Sequence, residues 1–151
     1  IDLVLIGPQP KAINGDPDVD IDLLRSDPGV HMLGYVTTRE LKYAYRNATV
    51  FSFPSKYETF GLAPVEAMAS GAPVVASDRG ALPEVLGDGA RIVSPDIDDD
   101  WVDALETVID DDELRETLSS RGKERAQRYT WRQAASETLD VLREVAHTGR
   151  R

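Results

Sequence analysis

The 151-residue sequence has no cysteine and only two histidines, His31 and His147. Without a thiol there is neither a disulfide framework nor a cysteine nucleophile, and two histidines do not make a histidine-based zinc cluster. No stretch approaches the roughly 20 apolar residues of a membrane span, and no signal-peptide pattern opens the chain. Positive charge is scarce as well: 17 Lys and Arg stand against 27 Asp and Glu, a formal net charge of −10. The average field therefore repels DNA, RNA and acidic membrane surfaces, so no nucleic-acid partner is expected. These absences describe a soluble, cytoplasmic protein, peripheral to the inner membrane face at most if it is part of a longer one.

What is present is a globular balance, 41% apolar and 29% charged residues, in a length that suits one domain with its own core. The alternation of elements gives the fold class. An apolar run, Ile1 to Ile6, is closed by Gly7-Pro8 in the manner of a buried strand, and a polar segment rich in Asp and Pro follows from Lys11 to Asp27. Within it a short helical piece is expected around Ile21 to Arg25. Val30 to Val36 reads as a second strand. Thr37 and Glu40 then have the spacing of a capping box, opening a helix with Leu41, Ala44, Tyr45 and Ala48 on one stripe.

Thr49 to Phe53, Pro73 to Ser77 and Ala90 to Ser94 are three further strands. Between them lie a helix over Leu62 to Ser70, with Pro64 in its first turn and Gly71 as its cap, and a short helix over Pro83 to Leu86. Strand–helix alternation of this kind implies an α/β fold, a Rossmann-like parallel sheet with helices on both faces. After Pro95 three closing helices are expected, the first marked by Trp101, Leu105 and Val108 and the second by Leu114 and Leu118. The third is capped by Thr130 and Gln133, with Trp131, Ala135, Leu139, Leu142 and Val145 facing inward. The expected domain is 1–146, with 147–151 as a polar tail.

Open parallel sheets bind ligands beyond the carboxyl ends of their strands. The loop Ser55-Lys56-Tyr57-Glu58-Thr59-Phe60-Gly61 joins a buried strand to a helix there. A helix N-terminus presents unpaired N–H groups and partial positive charge, and Gly61 has no side chain to block an approaching phosphate. Two carboxylates frame this tip, Glu58 before the helix and Glu66 one turn inside it. A carboxylate so placed can accept two hydrogen bonds from a vicinal diol such as a ribose; the plain alternative is that both are solvated acids. Lys56 and Arg79 lie in loops that either approach the phosphate or are simply solvated. The Asp98-Asp99-Asp100 run opens a helix, where acids favour the dipole, and no metal is expected there.

The stretch from Pro54 to Ser77 is specific: Glu58 and Glu66 separated by seven residues, the Phe60-Gly61-Leu62 turn, and Gly71-x-Pro73-Val74-Val75. It resembles the donor-binding segment of family 4 retaining glycosyltransferases, the glycosyl transferases group 1, which have the GT-B fold. Weaker features extend the likeness from Ile1 to about Val145: the opening strand, Leu33-Gly34-Tyr35-Val36, Gly80-x-x-x-Glu84-Val85 and Thr130-Trp131. The resemblance implies the C-terminal, donor-binding half of such an enzyme, cut near its hinge, with the N-terminal acceptor domain of the same chain missing.

Carried over to this sequence, Glu66 would hold the ribose hydroxyls and Glu58, the one catalytic residue implied, would contact hydroxyls of the transferred sugar. Backbone amides of Phe60, Gly61 and Leu62 would face the sugar and diphosphate. Tyr35 and Val36 would border the base, or else pack as strand residues. The donor is then a nucleotide-diphosphate sugar, with no other cofactor and no metal, and the acceptor is left open among sugars, lipid-linked sugars and small molecules. Similar enzymes carry an Arg and a Lys for the diphosphate, and a catalytic histidine, before the position where this sequence starts. The isolated chain is therefore expected to be inactive, and a non-catalytic nucleotide-sugar binding module is the alternative reading. An aspartate-phosphorylated receiver is disfavoured because Gly7-Pro8-Gln9-Pro10 follows the first strand, and a dinucleotide-binding oxidoreductase because Gly-x-Gly-x-x-Gly is absent.

The acidity is made of 17 Asp and 10 Glu, and the bases are 13 Arg to 4 Lys. So dense an acidic surface suits a halophilic, salt-rich cytoplasm, because counterions screen the self-repulsion of the compact state. The melting temperature is expected to rise from low salt to molar KCl; an unchanged value in a thermal scan counts against that reading.

Overall fold

The computed structural model describes residues 1–8 and 21–148; most of the polar segment expected from Lys11 onward lies outside them. The chain divides into two compact units, with the boundary between Ala44 and Tyr45, where a single domain over 1–146 was expected. The hydrogen-bonded strands divide likewise, into a two-stranded and a three-stranded sheet, both parallel.

In the first unit β1 (Leu3–Ile6) pairs with β2 (Val30–Gly34), Leu3 opposite Val30, and α1 (Ile21–Ser26) precedes β2. β1 is not the buried strand its apolar run predicts: Leu3, Val4 and Leu5 are exposed. An unbroken apolar run marks a strand that can be covered on both faces, and among the described residues that cover is not supplied. β2 ends at Gly34, two residues short of the expectation, because Gly34 turns the chain at φ +68°. The Gly7 N–H reaches the Gly34 carbonyl at 2.9 Å there.

α2 (Thr38–Asn47) is opened by the predicted capping box. The Thr37 N–H and hydroxyl both donate to Glu40 Oε2 at 2.7 Å, and the Glu40 N–H reaches Thr37 Oγ1 at 3.3 Å. These bonds, the hydroxyl's first, hold the Glu40 carboxyl below its ordinary pKa.

The second unit is built on β4 (Val74–Ser77), paired to β3 (Phe51–Phe53) on one edge and β5 (Arg91–Val93) on the other. All four β4 residues are fully buried. Val75 packs with Ala104 and Val108 of α5 (Asp98–Asp110) and Leu118 of α6 (Asp112–Ala126). α3 (Leu62–Ser70) precedes β4, and α4 (Leu82–Leu86) with a 3-10 turn at Gly87–Gly89 follows it. Close approach is built in: a side chain on Gly122 of α6 would meet Met68 of α3 at 3.1 Å and the Gly89 carbonyl at 3.3 Å.

The helix ends follow the sequence signals. Gly71 caps α3 in the left-handed region, its N–H on the Met68 carbonyl and the Ala72 N–H on that of Ala67, the two bonds of a Schellman motif. Asp98, Asp99 and Asp100 form the first turn of α5, and Asp111 caps α6 through the Leu114 N–H at 2.9 Å. Thr130 Oγ1 accepts the Gln133 N–H, but the Gln133 amide turns to Glu137 instead of completing the box.

α7 (Trp131–Thr148) forms as expected but does not close the core. None of its residues is buried, with Trp131 87% and Leu142 60% exposed. Apolar periodicity shows which face of a helix seeks cover, not whether this chain supplies it. The helix also absorbs the start of the expected tail, placing His147 Nδ1 2.7 Å from the Arg143 carbonyl oxygen. Among the described residues no helix is long and apolar enough to cross a membrane.

Met68, buried without residual exposure, should therefore dominate stability where α7 does not. Met68→Ala should lower the unfolding free energy by about 2–5 kcal/mol in urea titration, and Leu142→Ala by less than about 0.5 kcal/mol.

Candidate functional site

Three loops leave the carboxyl ends of β3, β4 and β5, and they are bonded to one another. The β3–α3 loop, Ser55 to Gly61, is held at its start and its middle by the residues that end and follow β4. The buried Ser77 hydroxyl donates to the Ser55 carbonyl at 2.5 Å, and the Ala81 N–H donates to the Glu58 carbonyl at 3.1 Å. The β5–α5 loop joins through Asp96, which pairs with Arg79 and lies 3.8 Å from the Lys56 ammonium. Asp78 flanks the same guanidinium at 3.3 Å. The hydrogen bond to Asp96, with the charge of Asp78 beside it, pushes the Arg79 pKa up. Of the two loop cations that were candidates for a phosphate, Arg79 is bonded to a carboxylate, while Lys56 is exposed with Asp96 near it.

Glu58, Phe60, Gly61 and Leu62 occupy a single turn. Glu58 is half-buried, and its Oε1 accepts the N–H groups of Thr59 at 2.9 Å and Phe60 at 3.3 Å. The Phe60 amide, expected to face a ligand, here faces the Glu58 carboxylate. Gly61 caps α3 at φ +94° with no side-chain cap, its carbonyl accepting the Val65 N–H. The expected reason for glycine was an open path for phosphate. The observed one is steric: Gly61 is buried, and a Cβ would sit 2.6 Å from Leu82 Cδ2 and 3.2 Å from Pro64 Cγ.

Pro64 has no N–H, so the first-turn amides of α3 that remain to meet a ligand are those of Leu62 and Ala63, with the Leu62 side chain exposed. Glu66 follows in the second turn, exposed. Burial, with the Glu66 charge adding to it, pushes the Tyr45 phenol pKa up. Tyr35 and Val36 belong to the first unit, beyond the end of β2. Tyr35 is 85% exposed, which removes the strand-packing alternative for it.

The sequence assigns no site role to three residues that stabilise this loop. Ser77 ends the Pro54–Ser77 stretch and Gly80 opens the Gly80-x-x-x-Glu84-Val85 likeness, neither with a stated contact. Tyr129, between α6 and α7, sets its ring edge-to-face with Phe60 at 5.4 Å and donates its hydroxyl to the Val85 carbonyl at 2.9 Å. Arg125 reaches the same carbonyl and that of Glu84, so the end of α4 is capped from α6.

An open groove of about 530 Å³ lies at the other end of α3, lined by Gly71, Pro73, Ser119 and Lys123 among others. Its polar groups serve the helix end. Ser119 donates to the Gly71 carbonyl at 2.8 Å, and the Lys123 side chain packs where a Gly71 Cβ would be.

Comparison with known proteins gives the family and the fold. Residues 20–125 match the family model described as glycosyl transferases group 1. The chain is 37% identical over 115 residues to the O-antigen chain mannosyltransferase B of Escherichia coli, covering 76% of this chain and 30% of that protein. The sucrose-phosphate synthase of Thermosynechococcus elongatus superimposes with a TM-score of 0.81 at 28% identity, over 97% of this chain and 39% of that one. HepE of Anabaena, solved in complex with UDP-glucose, gives a TM-score of 0.74 at 25% identity, over 93% and 41%. The chain thus spans less than half the length of each of these proteins.

Losing the Ser77 hydroxyl leaves the Ser55 carbonyl without its donor inside the fold. Ser77→Ala should cost about 1–3 kcal/mol in chemical denaturation; a loss near zero would mean that the bond does not tie the loop to β4. With parallel strands covered by helices on both sides, and with glycosyltransferases as its relatives in sequence and in structure, the chain belongs to the group 1 glycosyltransferases of GT-B fold and resembles a C-terminal domain of one.

Proposed function

We propose that this chain binds the nucleoside diphosphate sugar donor of a retaining glycosyltransferase at the Ser55–Leu62 loop and the α3 N-terminus. The observation that carries the reading is the pairing of a half-buried carboxylate, Glu58, with a glycine-capped helix tip in one turn at the carboxyl end of β3. Support comes from the family match and from HepE, a solved relative that holds UDP-glucose.

In this reading the diphosphate meets the N-terminal dipole of α3 and the amides of Leu62 and Ala63, which offset its charge without a metal. Glu66 accepts the ribose hydroxyls. Glu58 accepts hydroxyls of the transferred sugar. The amides of Thr59 and Phe60 aim its carboxylate, so it stabilises the oxocarbenium-like charge that develops as the nucleoside diphosphate departs. It need not attack the anomeric carbon to do so. The acceptor, and the groups that complete transfer, belong to the whole protein.

The ribose assignment is tested by calorimetry with uridine, guanosine and adenosine diphosphate sugars. Glu66→Ala should weaken the donor that binds by about 10- to 100-fold, the equivalent of roughly 1.5–3 kcal/mol from one charge-assisted contact. Unchanged affinity removes Glu66 from the site.

A further inference from the structure

Gly80 does something that neither the family match nor the donor-site reading assigns to it. It lies between Ser77 and Ala81, the two residues that bond the β3–α3 loop, with φ +59°. A Cβ on it would lie far inside van der Waals contact distance of the Glu58 carbonyl oxygen. It would also lie 3.0 Å from the Glu58 carbonyl carbon and 3.1 Å from the Glu58 nitrogen. All three atoms are backbone, so no side-chain rotation relieves the overlap. The next two residues continue the fit: the Ala81 N–H donates to that same carbonyl, and Leu82 Cδ2 fills the space beside Gly61. Gly80 to Leu82 therefore forms a mould for Glu58 to Gly61, peptide against peptide.

We propose that Gly80 is a positioning residue for Glu58 and, resting on the donor-site reading above, for the transferred sugar. The Glu58 carboxylate is aimed by the amides one and two residues after it, so its direction is tied to the course of its own backbone. A methyl group at position 80 must push the Glu58 peptide away by on the order of 1 Å, a displacement large enough to cost an oriented contact much of its effect. The nucleotide half of the site is anchored separately, by Glu66 and the first turn of α3, and is left in place.

The test is a split between two ligands of the 151-residue chain, a nucleoside diphosphate sugar and the same diphosphate without the sugar, each titrated calorimetrically. Gly80→Ala is expected to weaken the sugar nucleotide about tenfold and the free diphosphate by less than about twofold. The double variant with Glu58→Ala should lose no more than Glu58→Ala alone. Equal weakening of both ligands, or of neither, overturns the proposal.

Amide hydrogen exchange supplies a readout that needs no ligand: Thr59 and Phe60 should exchange about tenfold faster in Gly80→Ala, and unchanged exchange overturns the positioning role. If the unaltered chain binds no uridine, guanosine or adenosine diphosphate sugar, the donor-site reading fails, and the exchange rates alone then decide whether Gly80 positions Glu58. Should Gly80→Ala not fold, Ala81→Pro makes the same tests. Its ring removes the N–H that the Glu58 carbonyl accepts, at a φ of −82° that proline tolerates.

Discussion

The second unit depends on one strand. β4 has paired neighbours on both edges and no exposed side chain, so its length and register fix where three loops emerge. A strand covered on both faces has no room to slip, because side chains of different size are packed closely against both layers. Ser77 is the single polar member of that buried set, and its hydroxyl converts the end of the strand into an anchor for the loop beside it. The site is therefore positioned by the core itself.

The electrostatics of the loops follow from a chain short of cations. Arg79 pairs with Asp96 and Asp78, and the exposed Lys56 ammonium lies 3.8 Å from Asp96. In the donor-site reading an anion meets the dipole of α3 and its first-turn amides, which no acid on the surface can titrate away. Even part of that supply is used internally, since the amides of Thr59 and Phe60 serve the Glu58 carboxylate. Binding through peptide groups, as proposed, would leave residue identity around the site with little to say about which base or sugar is preferred.

Much of the fold is legible in the sequence because its signals are local. The capping box at Thr37 and Glu40, the Gly71 cap of α3 and the acidic first turn of α5 each involve residues within one or two turns of each other, and each forms as read. The failures are of another kind. β1 and α7 have the right elements in the right places with the wrong burial, since burial depends on which distant segments come to lie against them. β2 stops at Gly34 because a left-handed glycine outweighs the apolar residues beyond it.

The site divides in the same way. Sequence by itself determined the helix tip, the two glutamates and their separation, since these follow from spacing along one loop and one helix. Only the tertiary structure decided why Gly61 and Gly80 must be glycine, why Ser77 matters, and that Tyr129 meets Phe60. Each of these contacts joins residues about 20 to 70 positions apart across separate loops. Nothing in their local chemistry announces the partner that folding brings to them.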